Sequence, residues 1–239
     1  MTPGTKQNEK RHPVVAIVVV NWNRRELLAQ CLESLVAQTW TDREIFVVDN
    51  GSQDGSEAFV AENYPEVHLI RAEGNIGFAR ANNLAIRRSR SKFVALINND
   101  AAAEPNWLQQ LVAALEADRW LGMAASKMVY HDNPEVIDRA GDGYSLVGAG
   151  VLRGRGGRAD AYNQPREIFG ACAGAALYRR DMLEDIGLFD EAFFLIYEDV
   201  DLSFRAQLAG YRCRYVPGAK VRHKASHTIG RDSRTSVFY

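Results

Sequence analysis

The chain has 239 residues, enough for one large α/β domain or two small ones. Its contents of 46% hydrophobic and 25% charged residues are ordinary for a globular protein. With 29 basic and 30 acidic residues the net charge is -1, which gives no general reason to expect nucleic acid as a partner.

The first hundred residues alternate between apolar runs and amphipathic segments. Val, Ile and Phe dominate the runs, which predicts strands buried on both faces. Strand, helix and strand in this alternation indicate βαβ units on a parallel sheet. The sequence predicts strands at 14–20, 44–48, 67–70 and 93–97, and helices at 24–38 (with Asn23 as N-cap), before Tyr64, and from the 74–77 loop to about 89.

The remainder of the chain is less regular. Small apolar residues at 169–178 permit close approach of the backbone to a ligand or a neighbouring element. Gly210 is placed to end a helix. The predicted elements are helices at 105–118 and from 198 to about 209, and strands at 122–130 and 211–216.

A glycine- and arginine-rich segment at 141–158 shows no periodicity, which favours a mobile surface loop. Its basic residues, Arg153, Arg155 and Arg158, suit either a clamp for an anionic substrate or a solvated surface. The sequence leaves both interpretations open.

The two ends of the chain are polar. Residues 1–12 lack the apolar core of a signal peptide, which predicts a disordered leader, and 229–239 form a polar tail. The early apolar run at 14–20 is too short to span a bilayer. We therefore expect a cytoplasmic protein, with attachment to the cytoplasmic face of a membrane left open.

The three cysteines are Cys31, Cys172 and Cys213. They are far apart in the sequence, lack metal-type spacing and have apolar neighbours. This pattern predicts buried free thiols in a reducing compartment.

Polar residues follow three of the predicted parallel strands, at 21–23, 49–56 and 98–100. Each segment alone is also typical of a turn. Because the carboxyl ends of parallel strands meet at one edge of a sheet, three such loops favour a nucleotide site. Neither G-x-G-x-x-G after the first strand nor a P-loop is present, which excludes those two classes of nucleotide site.

A second acidic cluster begins the helix at 198. Asp201 and Arg205 are four residues apart and are expected to pair on the helix surface. Glu198 and Asp199 follow an aromatic run, where desolvation would raise a carboxylate pKa as a general base requires. The alternative is that these acids only complement the helix dipole.

His223 lies near the end of a strand, and together with Asp100 it offers ligands for a divalent cation. The oxygens of a bound diphosphate would complete the coordination. A lone histidine is more often structural, so the pairing is a hypothesis.

Five segments resemble, in order, the motifs of family 2 glycosyltransferases, and within that family most closely the rhamnosyltransferase branch. Any one of them would be weak evidence, whereas five in order are specific. The resemblance runs from about 13 to about 228. The segments are VVVNWN (18–23), VVDNGSQDGS (47–56), GNIGFARANN (74–83), LINND (96–100) and YEDVDLSFR (197–205).

The resemblance implies a GT-A fold, an α/β architecture with a mainly parallel central sheet flanked by helices and a smaller mixed half. It divides 13–228 into a nucleotide-sugar-binding half (13–118) and an acceptor or catalytic half (119–228). It also implies a dTDP- or UDP-linked sugar donor, Mg²⁺ or Mn²⁺, inversion at the anomeric carbon, and a glycan or lipid-linked acceptor.

The resemblance assigns roles by position in this sequence. Asp199 resembles the catalytic base, with Glu198 beside it. Asn98 stands where the family's D-x-D motif has its first acid, which leaves Asp100 with His223 as the implied metal ligands; His227 aligns less well. The implied nucleotide-binding residues are Asn21, Asn23, Asp49, Asp54, Arg80 and Asn98.

Two other functions stay open at this point. A nucleotidyltransferase that makes sugar nucleotides shares the sheet topology but needs a Gly-rich basic loop after the first strand. A catalytically inactive nucleotide- or carbohydrate-binding module is the non-enzyme alternative. The family's chain usually continues beyond the position of Tyr239, so this sequence resembles either a short member or a truncated one.

Overall fold

The computed structural model describes residues 12–224. The predicted leader, apart from His12, lies outside the described residues, as do the predicted tail and His227.

The described residues form twelve strands and six α-helices. The strands are β1 (Val15–Asn21), β2 (Arg43–Asp49), β3 (His68–Arg71), β4 (Phe93–Ile97), β5 (Ala101–Ala103), β6 (Leu121–Tyr130), β7 (Ile137–Arg139), β8 (Asp142–Tyr144), β9 (Gly150–Leu152), β10 (Arg166–Ile168), β11 (Ala175–Arg179) and β12 (Arg212–His223). The helices are α1 (Arg25–Val36), α2 (Ser56–Asn63), α3 (Phe78–Arg88), α4 (Trp107–Glu116), α5 (Arg180–Ile186) and α6 (Glu198–Leu208).

One half of the main sheet is parallel, as the sequence predicts. Its strands lie in the order β4-β1-β2-β3, and all three neighbouring pairs are parallel. Every residue of β4 is buried, because helices cover both faces of the sheet. The carboxyl ends of these strands therefore meet at one edge.

The other half is mixed. Strand β11 runs antiparallel to both β4 and β6, and β12 runs parallel to β6. An irregularity in β12 between Val216 and Lys220 lets the strand continue to His223. There β12 pairs antiparallel with β5, so that His223 faces Ala101 in register. This pairing brings the end of β12 to the edge where β4 ends.

Two apolar layers enclose the sheet. Leucines of α1 and α4 pack with Trp107 on one face, and Ile86, Met182 and Leu202 of α3, α5 and α6 pack on the other. Each fully buried side chain of this size stabilises the fold by about 1.5–3 kcal/mol. Helix α1 is amphipathic, as predicted; its buried residues are Leu28, Cys31, Leu32 and Leu35.

Two local predictions about helix starts are wrong. Asn23 is not the N-cap of α1: it has a φ of +51° and precedes Arg24, which occupies that position. The side-chain oxygen of Asn23 instead accepts a hydrogen bond from the Gln53 backbone N–H at 2.6 Å. Pro105 does not start α4 either, since the helix begins at Trp107.

The segment at 141–158, predicted to be a mobile surface loop, contains regular structure that the sequence did not predict, because β8 and β9 form an antiparallel hairpin there. Its arginines are held by the protein itself. Arg153 donates to the Ala140 carbonyl at 2.6 Å and lies over the rings of Tyr162 and Tyr215. Arg155 donates to the hydroxyl of Tyr130, and Arg158 pairs with Asp160.

Candidate active site

The three polar loops predicted to share an edge are in contact. Asn21 accepts a hydrogen bond from the side-chain amide of Asn99 at 2.7 Å, and its own amide donates to Ser52 at 3.3 Å. Asn21 is fully buried, and these two hydrogen bonds fasten the loops together. Asn99, which from the sequence alone looks like a turn residue, also helps to hold these loops together.

The loop after β2 is fastened in turn to the loop before α3. Asn50 donates to the side chain of Asn75 at 2.9 Å and accepts from the Ile76 N–H at 3.0 Å. Gly51 lies against Gly74 so closely that a Cβ on Gly51 would be 2.6 Å from the Gly74 Cα. Glycine suits this position for two reasons: its φ is +81°, and there is no space for a Cβ beside Gly74.

Asp49 offers an open acceptor at the same edge. Its Oδ1 accepts from the Ser52 N–H at 2.8 Å, whereas its Oδ2 is buried and has no hydrogen-bond partner. A buried carboxylate oxygen without a partner costs free energy, which a ligand donor would relieve.

The carboxylate of Asp54 is engaged by the chain itself. It accepts from the backbone N–H of Arg25 at 2.8 Å and from the N–H and hydroxyl of Ser56. Partial burial would raise the pKa of Asp54, but these hydrogen bonds lower it. Asp54 therefore serves the starts of α1 and α2.

The other predicted nucleotide residues are less constrained. Arg80 lies on α3 with its side chain 60% exposed, and its Nε is 3.8 Å from a carboxylate oxygen of Glu191. Asn98 is half-buried, and its amide nitrogen lies 3.4 Å from the Nε2 of His223.

The predicted metal ligands Asp100 and His223 are adjacent. The Nε2 of His223 is 3.0 Å from the Asp100 Oδ1, but this oxygen makes no hydrogen bond of acceptable geometry. On the other side of the ring, Nδ1 lies 2.8 Å from the Asp138 Oδ2. Burial alone would lower the pKa of His223, but the two carboxylates raise it to about 9.

These residues fit a divalent cation. An imidazole nitrogen and a buried carboxylate oxygen converge, and a second carboxylate orients the ring, as is usual for a metal-binding histidine. Asp138, which the sequence gave no reason to choose, supplies the orientation. It lies 85 residues from His223 in the chain and belongs to no motif.

Glu198 and Asp199 begin α6 in different environments. Glu198 is 5% exposed, and its Oε2 has no partner. Burial, and then the charge of Asp199, raise the pKa of Glu198 to about 8. Asp199 is half-buried, and its Oδ2 accepts from the Ala173 N–H at 3.1 Å. The raised pKa expected for this turn thus falls on Glu198, because its carboxyl group is buried beside the charge of Asp199.

The backbone before α6 is strained. Ile196 and Tyr197 both have a φ of +72°, which is rare for residues with bulky side chains. The segment is held by Phe194, whose carbonyl accepts from the Phe78 N–H at 2.7 Å and lies against Gly77. Strain of this kind, about 1–3 kcal/mol per residue, persists where the surroundings impose it and is common at functional sites.

Asp142 is a third acid near α6. Its Oδ1 accepts from the Arg139 Nη1 at 2.7 Å. One side-chain ligand atom each from Asp142, Cys172 and Asp199 lies within 4.8 Å of the others. No sequence motif marks Asp142 or Arg139, so sequence reasoning missed both.

Two smaller predictions are confirmed. Asp201 and Arg205 pair on α6 at 2.7 Å, and Gly210 follows the helix with a φ of +86°.

The three cysteines are free; Cys31 and Cys213 are buried, whereas Cys172 is half-buried. None of the helices within 12–224 combines the length and apolar character needed to cross a bilayer.

Comparison with solved structures supports the fold assignment. The mannosyltransferase PcManGT of Pyrobaculum calidifontis, in complex with GDP-Man and Mn²⁺, matches with a TM-score of 0.68 at 20% identity, over 95% of this chain and 60% of that one. GalNAc-T7 with UDP, GalNAc and Mn²⁺ matches with a TM-score of 0.74 at 17% identity, over 88% of this chain and 43% of that one. The predicted GT-A fold is confirmed.

Sequence comparison supports the family. The N-acetylglucosaminyl-diphospho-decaprenol L-rhamnosyltransferase of Mycobacterium tuberculosis is 30% identical over 92% of this chain and 78% of its own length. The family model described as Glycosyl transferase family 2 matches residues 16–187, well over half of the sequence. The chain therefore belongs to the family 2 glycosyltransferases.

Proposed function

We propose that this glycosyltransferase moves a rhamnose-like sugar from a nucleoside-diphosphate donor to a hydroxyl of a glycan or lipid-linked acceptor, with inversion at the anomeric carbon. The observation that carries the proposal is the convergence of the Asp100 Oδ1 and the His223 Nε2 at 3.0 Å, beside the polar loops of the parallel half. The mycobacterial relative supports the choice of sugar.

The nucleoside is proposed to bind at the ends of β1 and β2. The unpartnered Oδ2 of Asp49 can accept a hydrogen bond from a ribose hydroxyl or from the ring N–H of uracil or thymine. Asn98, next to His223, is proposed to contact the ribose. Asn21, Asn23 and Asp54 are proposed to shape the loop, because their side-chain oxygens accept hydrogen bonds from this chain's own donors.

Asp100 and His223 are proposed to hold Mg²⁺ or Mn²⁺, with Asp138 orienting His223. When bound, the cation would neutralise charge on the donor diphosphate, which is a large electrostatic contribution in this chemistry. The carboxylate oxygen of Asp100 and the oxygens of a donor diphosphate are ligands that suit these metals. The cluster of Asp142, Cys172 and Asp199 suits them less, because burial raises the pKa of the Cys172 thiol and keeps it protonated.

Asp199 is proposed as the general base. Its carboxylate takes the proton of the acceptor hydroxyl as the hydroxyl oxygen bonds to the anomeric carbon. The bond from that carbon to the diphosphate breaks, and its electron pair stays on the diphosphate. One displacement from the opposite face inverts the centre. The hydrogen bond from Ala173 fixes the orientation of Asp199, whereas Glu198 is buried with a raised pKa and is proposed to support the turn.

The acceptor is proposed to approach over the hairpin of β8 and β9. Tyr144 stacks on Phe169 at 5.1 Å, and Leu146 and Val147 project from the turn almost fully exposed. At Gly150 the hairpin lies against Val200, the residue after Asp199. An apolar surface that begins beside the base suits the lipid part of an acceptor, and with it attachment to the cytoplasmic face of a membrane.

A panel of nucleotide sugars tests the proposal. With Mn²⁺ and a glycan or polyprenyl-diphosphate acceptor, one donor should release nucleoside diphosphate and yield product of inverted anomeric configuration. Asp199→Asn should lower kcat by about 10²–10⁴ while leaving donor affinity unchanged. Asp201→Asn, in the same helical turn, is the matched control and should keep most of the activity.

Other outcomes would contradict the proposal. Formation of pyrophosphate from a nucleoside triphosphate and a sugar 1-phosphate would identify a nucleotidyltransferase. Donor binding without turnover for any acceptor would indicate a binding module. Full activity of Asp199→Asn would remove the assigned base.

A further inference from the structure

The carboxyl group of Asp142 is buried beside the proposed base without being fully satisfied. Its side chain is 2% exposed, and its Oδ2 has no hydrogen-bond partner. The backbone of Asp142 exchanges hydrogen bonds with Gly170, which fixes the start of β8 against the segment that leads to β11. The carboxylate therefore has little freedom to move away from Asp199.

Arg139 carries the positive charge of this cluster. Its Nη1 is 2.7 Å from the Asp142 Oδ1, and its side chain is only 20% exposed. Its Nε is buried without a partner, so the guanidinium is not satisfied by Asp142 alone. A fixed cation of this kind occupies the electrostatic role that a metal ion would have among Asp142, Cys172 and Asp199.

We propose that Asp142 is a positioning residue for the proton transfer to Asp199: the two carboxylates form a pair, balanced by Arg139, whose mutual repulsion keeps Asp199 a good proton acceptor. The inference rests on the proposed function of Asp199. Two carboxylates within 5 Å repel each other, so binding of one proton to the pair is favoured. The proton taken from the acceptor hydroxyl leaves the pair with one negative charge facing one guanidinium, and it passes to water after product release.

The surroundings favour the uptake of one proton by the pair. Burial, and then the charge of Asp199, raise the pKa of Asp142 to about 7. Burial would lower the pKa of Arg139, but its acidic neighbours raise it, so this residue stays charged. Within 12–224, the other titratable groups facing the pair are Glu198 on α6, Cys172 and Tyr178 beside or on β11, and Cys213 on β12.

The test is the pH profile of kcat/KM. Asp142→Asn removes the repelling charge and leaves Arg139 in place. The acid limb of this pH profile should therefore move to lower pH by about one unit. The double variant Asp142→Asn with Arg139→Gln restores the charge balance, and its limb should return toward that of the wild type. Asp160→Asn, which removes an exposed acid paired with Arg158, is the control and should leave the limb in place.

A structural role of Asp142 would lower activity equally at all pH values and leave the acid limb where it is; that result overturns the inference.

A second readout needs no turnover. Because the folded-state pKa of Asp142 lies above its unfolded value of about 3.9, its contribution to stability is lost as the pH rises toward 7. The Tm of the wild type should therefore fall relative to that of Asp142→Asn as the pH rises from about 4 to about 7.

The two proposals can fail separately. If no donor is turned over while the two Tm curves diverge as expected, the carboxyl pair stands and the glycosyl-transfer assignment fails. If Asp199→Asn abolishes transfer but Asp142→Asn changes neither the limb nor the Tm difference, the inference about Asp142 fails alone.

Discussion

Replacement of Asp138 tests the orientation of His223. The Asp138 Oδ2 is 2.8 Å from the His223 Nδ1, and both side chains are largely buried. A bound cation would displace the Nε2 proton, and with Nδ1–H donating to Asp138 the lone pair of Nε2 would then point to the side where Asp100 lies. Asn keeps the shape and an acceptor but loses the charge, whereas Ala loses both.

Loss of a carboxylate that orients a metal-binding histidine typically weakens metal binding by about 10–100-fold. We expect Asp138→Asn to lie near the lower value, about 1.4 kcal/mol, and Asp138→Ala near the higher, about 2.7 kcal/mol. The larger loss for Ala follows because the imidazole is then free to rotate and its buried Nδ1 is left without a partner.

Isothermal titration with Mn²⁺, in the presence of a nucleoside diphosphate, measures this affinity directly. Asp132→Asn, an exposed acid in the turn after β6, is the matched control and should bind Mn²⁺ as the wild type does. Thermal unfolding of each variant shows whether the fold is retained. If folded Asp138→Asn and Asp138→Ala both bind Mn²⁺ within about twofold of the wild type, His223 is not a ligand oriented in this way.

Three further predictions concern the polar edge and α6. Gly51→Ala should destabilise the fold by about 2–4 kcal/mol, because it adds a Cβ against Gly74 at positive φ. Gly55→Ala, which has a similar φ but open space around it, should cost only about 1 kcal/mol. Thermal unfolding of the two variants compares these costs. Asp49→Asn should weaken donor binding by about tenfold without changing Mn²⁺ affinity. If titration shows that the variant and the wild type bind the donor equally, Asp49 does not contact the nucleoside. Because the pKa of Glu198 is raised to about 8, the wild type should lose stability as pH rises from about 4 to 8, and Glu198→Gln should lose less, as denaturant titrations at several pH values would show.

The parallel half could be predicted from sequence because its signals are local and agree with one another. Strands β1 and β4 are continuous apolar runs, and the helices between the strands have the expected apolar spacing. Polar residues at the strand ends follow from the same reasoning, since a parallel sheet collects them at one edge. The hydrogen bond between Asn21 and Asn99 shows that two of these polar segments do meet at this edge.

The mixed half was harder to predict because its strands are short and depend on distant partners. Strand β5 is three alanines, which carry no strand signal, yet its pairing with β12 sets His223 beside Asp100. The hairpin of β8 and β9 looks like a loop because glycines and arginines interrupt it. Asp138 and Asp142 are single acids whose roles depend on partners far along the chain or buried beside them.

The spacing between the proposed metal ligands and the proposed base is set by one short segment. Strand β11 pairs with β4, and at the end of this ladder the Asn98 N–H donates to the Gly174 carbonyl at 2.9 Å. The preceding residue, Ala173, donates its own N–H to Asp199. Two consecutive residues thus link the strand end that leads to Asp100 with the start of α6.

This link explains why small residues are required before β11. A Cβ at Gly174 would lie 3.1 Å from the Asn98 amide, and one at Gly170 would collide with Ser203 of α6. A larger side chain at Gly170 would press on α6, and one at Gly174 would press on Asn98 at the end of β4. Because a displacement of about 1 Å between reacting groups can cost about 10²-fold in rate, we expect larger residues at these glycines to slow the proposed reaction through the change in distance alone.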